Sequence, residues 1–133
     1  MEEWLKLNFD IYENDFKMML ENNCSLNEVT FSDAEKLVDF LRKIGCDKRL
    51  IRNTIMSNAL VLSRLVPDLE KLVAKLRQIG LTDIVDLLDA NPYILNLDAY
   101  EIDDYIKKKE ESGESFEDIV AALESEPALF LEI

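Results

Sequence analysis

Carboxylates are the most abundant chemically competent groups in this chain, and two clusters of them crowd its last third. Asp98, Glu101, Asp103 and Asp104 stand together, and Glu110, Glu111, Glu114, Glu117 and Asp118 surround Gly113. Such an array imitates the spaced charge of a phosphate backbone and can fill the basic groove of a protein as counterions are released. The competing reading is a solvated helix surface with acids near N-termini, where the helix dipole favours them. The opposite charge gathers in mid-chain at Arg42, Lys43, Lys48, Arg49 and Arg52, with Arg64 and Arg77 further on. At roughly 100° per residue, Lys48, Arg49 and Arg52 fall opposite Leu50, Ile51 and Ile55, so they are expected to face solvent. They then either form a patch for nucleic acid or neutralise neighbouring acids.

Catalysis has little to draw on. The chain has no histidine, the usual general base near neutral pH. It has no Gly-x-Ser-x-Gly elbow, no phosphate-cradling glycine loop and no acidic run with calcium-loop spacing. Its two cysteines, Cys24 and Cys46, cannot supply the four ligands of a structural zinc. They are expected to be reduced and mostly buried thiols. Trp4, Tyr93, Tyr100 and Tyr105 are expected in the core or at its rim rather than as stacking platforms. The expectation is a protein that is not an enzyme and carries no metal or cofactor.

The bulk numbers agree with a folded globular protein. The 133 residues suit one domain, and 48% of them are apolar, enough for a core. Net charge is −13, unevenly spread: residues 1–39 carry 10 acids and 3 bases, and residues 98–133 carry 12 acids and 3 bases. Residues 40–97 carry 9 bases and 6 acids. Nucleic acid is repelled at long range by such a molecule, so binding through the basic waist must overcome that field. No stretch reaches the length of a membrane span. The acidic start, unlike the basic opening of targeting peptides, points to the cytoplasm.

These groups need elements to hold them, and the three glycines mark where the elements turn. Gly45, Gly80 and Gly113 lie 35 and 33 residues apart, each followed two residues later by a capping residue: Asp47, Thr82 and Ser115. A helix-period pattern precedes each glycine, such as Leu69, Leu72, Leu76 and Ile79, and a shorter one follows it. Pro92 and Pro127 then stop the short helix and open an apolar turn, with Ala59 in the equivalent place of the first copy. That explains the recurrence of "ANPYIL" and "SEPALF". Each copy is a long helix, a glycine corner, a short helix and a closing turn, and units of this length stack because none can bury its apolar face alone. Residues 1–31 show no copy of the pattern. Leu5, Phe9, Tyr12, Phe16 and Met19 or Leu20 predict a single amphipathic helix over 2–22, acting as a cap. Ser32-Asp33-Ala34-Glu35 is expected to cap the helix that follows.

The stretches "LRKIGCDKRLIRNTIMSNALVLSR" and "DLEKLVAKLRQIGLTDIVDLLDANPYILNL" resemble the repeats of the mitochondrial transcription termination factor family. Leu41…Gly45, Leu76…Gly80 and the turns at Pro92 and Pro127 carry the likeness over about residues 33–133. It implies a curved all-helical solenoid that binds nucleic acid along a basic surface, here the residues 42–52.

The sequence therefore predicts an all-α fold, a short right- or left-handed stack of helical repeats at 32–66, 67–97 and 98–133 behind an N-terminal helix. The expected role is non-catalytic binding of a protein with a basic surface through the acidic faces, as an inhibitor or nucleic-acid mimic. Nucleic-acid binding through the basic patch is the alternative.

Overall fold

A computed structural model describes residues 1–133 and is helical throughout, without a strand. Eight α-helices follow in order: α1 (Glu2–Phe9), α2 (Glu13–Asn22), α3 (Phe31–Lys43), α4 (Lys48–Ser57), α5 (Val66–Gln78), α6 (Ile84–Ala90), α7 (Ala99–Glu111) and α8 (Phe116–Ser125). Short 3₁₀ turns occupy Leu26–Glu28, Ala59–Ser63, Pro92–Asn96 and Pro127–Glu132. The chain divides into two compact units, Met1–Val66 and Pro67–Ile133. The break falls at the junction between the first two copies read from the sequence.

The glycine corners are built alike. Gly45, Gly80 and Gly113 have φ of 110°, 109° and 101°, a region closed to most side chains. In each, the glycine N–H bonds the carbonyl three residues back and the next N–H reaches five back, as in Cys46 to Leu41, Leu81 to Leu76 and Glu114 to Lys109. This double closure satisfies carbonyls that the helix end would leave bare. Its two flanking positions usually share an apolar contact, and Leu41 with Cys46 and Leu76 with Leu81 are all buried. The last corner replaces that pair with an ion pair, Lys109 Nζ to Glu114 Oε2 at 3.6 Å.

Capping follows the expected chemistry with two shifts. The carboxylate of Asp47 accepts from the Leu50 N–H at 2.8 Å, and the Ser115 hydroxyl accepts from the Asp118 N–H at 3.2 Å. In the middle copy the cap is Asp83 rather than Thr82, accepting from the Asp86 N–H at 3.4 Å. For α3 the cap is Thr30, accepting from the Asp33 N–H at 3.1 Å, so the helix begins ahead of the expected Ser32.

The N-terminal segment departs most from expectation. The helix predicted over 2–22 breaks into α1 and α2 at Asp10, the one non-glycine residue with positive φ, at 53°. Aspartate tolerates this left-handed conformation better than most residues. Breaking there buries Ile11 completely and turns Tyr12 outward, 53% exposed, as the N-cap of α2. The apolar stripe is thus not continuous: Leu5 and Phe9 belong to one helix, and Phe16 and Met19 to another. Asp10 precedes Gly45 by the same 35 residues that separate Gly45 from Gly80. Residues 1–31 are therefore a fourth, diverged copy rather than an unrelated cap.

A second landmark supports the same register. Asn23, Asn58, Asn91 and Glu126 are the C-caps of α2, α4, α6 and α8, at intervals of 35, 33 and 35 residues. Asn23 Nδ2 donates to the Ala59 carbonyl at 3.0 Å and to Ser63 Oγ at 2.8 Å, while its Oδ1 accepts from the Ser25 N–H. Asn91 Nδ2 donates to the Pro127 carbonyl at 3.0 Å and its Oδ1 accepts from the Tyr93 N–H at 3.1 Å. Both amides tie one copy to the first residue of the next copy's turn, 36 residues on. Each unit is thus a pair of copies joined by the same buried amide.

Packing within each unit repeats as well. In the first, α2 packs on α4 and on the 59–63 turn; in the second, α6 and the 92–96 turn pack on the 127–132 turn. Leu5, Ile11, Leu26, Ile51 and Ile55 are wholly buried in the first unit, and Leu69, Leu72, Ile94, Leu95, Ile102 and Leu123 in the second. Each such side chain contributes about 1.5–3 kcal/mol relative to exposure.

Candidate interaction surface

The acidic residues singled out in the sequence all lie in the second unit, but they do not form one sheet of charge. Glu101 closes a capping box at the start of α7, its carboxylate accepting from the Asp98 N–H at 3.0 Å. Asp103 pairs with Lys75 of α5 at 3.0 Å, where the lysine side chain is only 20% exposed. Glu114 is held by Lys109, whose ammonium also lies 5.7 Å from the centre of the Tyr105 ring. That leaves Asp104, Glu110, Glu111, Glu117 and Asp118 exposed without a cationic partner. Lys107, Lys108 and Lys109 stand between the early and late groups toward the end of α7, where the dipole favours bases. The sequence presents two acidic faces, and the structure keeps them apart.

The basic patch is reduced further. Arg42 pairs with Asp39 at 3.6 Å across one helical turn. Arg52 is partly buried and its Nε donates to the Phe9 carbonyl at 2.8 Å, closing the corner of the first copy. Expected on the solvent face, it serves the fold instead, because the corner leaves a carbonyl that a long side chain can reach. Lys43, Lys48 and Arg49 remain exposed, as expected.

Sequence reasoning missed a third acidic group. Asp83, Asp86 and Glu124 line a groove of about 230 Å³ floored by Leu81, Leu87 and Pro127. A hydrogen bond to Asp83, reinforced by its charge, lifts the Asp86 carboxyl above its usual range. The available signal is a pair of acids three apart at a helix start, but α6 lies in the stretch whose net charge is positive. Tyr100, expected in the core or at its rim, is 64% exposed and borders a second groove with Asp104 and Glu132.

The thiols differ from each other. Cys46 is buried, and desolvation followed by the charge of Asp47 pushes its pKa up to about 11. Cys24, expected to be mostly buried, is exposed because it follows the Asn23 cap, where the chain leaves the helix. Both are free. No cluster of three metal-binding side chains occurs, and no helix is long and apolar enough to cross a membrane. No protein-family model matches the chain, nor does any curated protein or solved structure.

Proposed function

We propose that this chain is a non-catalytic interaction module whose acidic helical faces bind a protein with a basic surface. The observation that supports this reading most directly is the set Asp104, Glu110, Glu111 and Glu117, exposed and without internal counter-charge. Carboxylates not engaged by the fold remain available to a partner, and they steer a cationic surface toward them at long range. The alternative of nucleic-acid binding, implied by the likeness to termination-factor repeats, is weakened because Arg52 is held by the Phe9 carbonyl and Arg42 sits in an exposed pair with Asp39. A pull-down from the native host, washed at increasing salt, tests the proposal. A basic protein recovered at low salt, and lost when Asp104, Glu110, Glu111 and Glu117 are changed together to lysine, is the expected result. Recovery that survives this change refutes it. A gel shift with duplex nucleic acid that disappears in Lys43→Glu, Lys48→Glu, Arg49→Glu would favour the alternative.

A further inference from the structure

We infer that the corner of the first copy is a docking groove for an amphipathic segment of another protein, one with apolar anchors flanked by lysine or arginine. This surface belongs to the first unit and does not depend on the acidic faces of the second. The groove, about 570 Å³, is lined by Glu2, Glu3, Lys6, Leu7, Tyr12 and Glu13, with Ile11 at its base. Leu7 is 78% exposed and Tyr12 53%.

Comparison among the four copies makes these two residues informative. After the residue whose carbonyl closes each corner (Leu5, Leu41, Leu76 and Lys109), the first copy has Lys6-Leu7 and the others have Arg42-Lys43, Arg77-Gln78 and Glu110-Glu111. After the corner, where the first copy has Tyr12, the equivalent residue is Asp47, Thr82 or Ser115. The repeat fold therefore asks for polar or charged residues at both places. Tyr12 also occupies an N-cap position, where it makes no side-chain bond to the helix it begins. A residue that gives up a cap and exposes its ring, beside an exposed leucine, serves the surface rather than the fold.

Charge selects the occupant. Glu2 and Glu3 rim the groove without an ion pair, whereas Glu13 is paired with Lys17 at 3.3 Å and Lys6 lies 5.8 Å from the centre of the Tyr12 ring. A second copy of this chain is disfavoured by a net charge of −13 on each molecule. An anionic lipid surface is repelled by the same rim. What fits is a segment whose apolar residues, at helical spacing, meet Leu7 and Tyr12 while its bases meet Glu2 and Glu3.

The test uses the full chain and a synthetic helical peptide of leucine and lysine at that spacing, with two controls. One control replaces the leucines by alanine, the other the lysines by glutamate. Amide chemical shifts should move at Leu7, Ile11 and Tyr12 with the first peptide only. The variant Leu7→Arg, Tyr12→Asp restores the residue types of the other copies, so its melting temperature should hold or rise. Its affinity should fall by about tenfold or more, as when interface anchors are lost. Equal binding by the variant, shifts confined to the second unit, or equal binding of the alanine control would each overturn the inference. So would a dimer of the unmodified chain, seen by sedimentation, that Leu7→Arg dissolves, since that would assign the groove to a second copy.

Discussion

Asn23 and Asn91 do the same work at matching places, using both ends of one amide to hold a local turn and the next copy's backbone. Each is almost fully buried, so its polar atoms have no water to fall back on. Replacing Asn91 by alanine strands the Pro127 carbonyl and the Tyr93 N–H together. Both groups are only partly buried, so the expected loss is about 1–3 kcal/mol in total. Urea unfolding of Asn91→Ala should show it, whereas an exposed control such as Asn53→Ala should change stability by less than about 0.5 kcal/mol. If the two substitutions cost the same, the amide is not the joint between copies.

At the level of the helix and its corner, the left-handed residue decides. Asp10 holds that conformation with a side chain present, which is strained for all but glycine and, less so, asparagine and aspartate. Asp10→Gly should therefore stabilise the chain by up to about 1 kcal/mol, and Gly113→Ala should destabilise it by roughly 1–2 kcal/mol. A methyl at position 113 meets nothing within 4 Å, so backbone strain alone would account for that loss. Chemical denaturation of both variants reads the two signs. The same chemistry decides which corners are legible in the sequence. Gly45, Gly80 and Gly113 announce theirs because glycine is the usual occupant, and Pro92 and Pro127 announce their turns because proline lacks an N–H. Asp10 gives no such announcement, and the near-continuous stripe from Leu5 to Met19 conceals the break. Asn23 and Asn58, 35 apart, are the clue that the sequence does offer. Pairings such as Lys75 with Asp103 depend on which copies face each other within a unit, and spacing along the chain does not carry that information.

For the molecule as a whole, charge is the strongest influence outside the core. Twenty-eight acids against 15 bases leave −13, and the ion pairs that form are mostly exposed and contribute little. Self-repulsion of this kind is screened by salt. Thermal melts at neutral pH should shift upward between low salt and about 0.15 M salt, by roughly 2–8 °C if about 1 kcal/mol of repulsion is relieved. A midpoint that falls with added salt would mean that attractive pairs such as Lys75 with Asp103 outweigh the repulsion. The binding of a basic partner at the acidic faces should weaken over the same salt range, so the two measurements move in opposite directions.

The 36-residue reach of the Asn23 and Asn91 bonds limits how this chain can change length. One residue added inside a helix between Asn91 and Pro127 would displace the receiving carbonyl, whereas one added at the exposed corner around Gly113 can be absorbed there. Change of length inside a pair is thus confined to its exposed corners, and the helices that carry the amide and its acceptor keep their register.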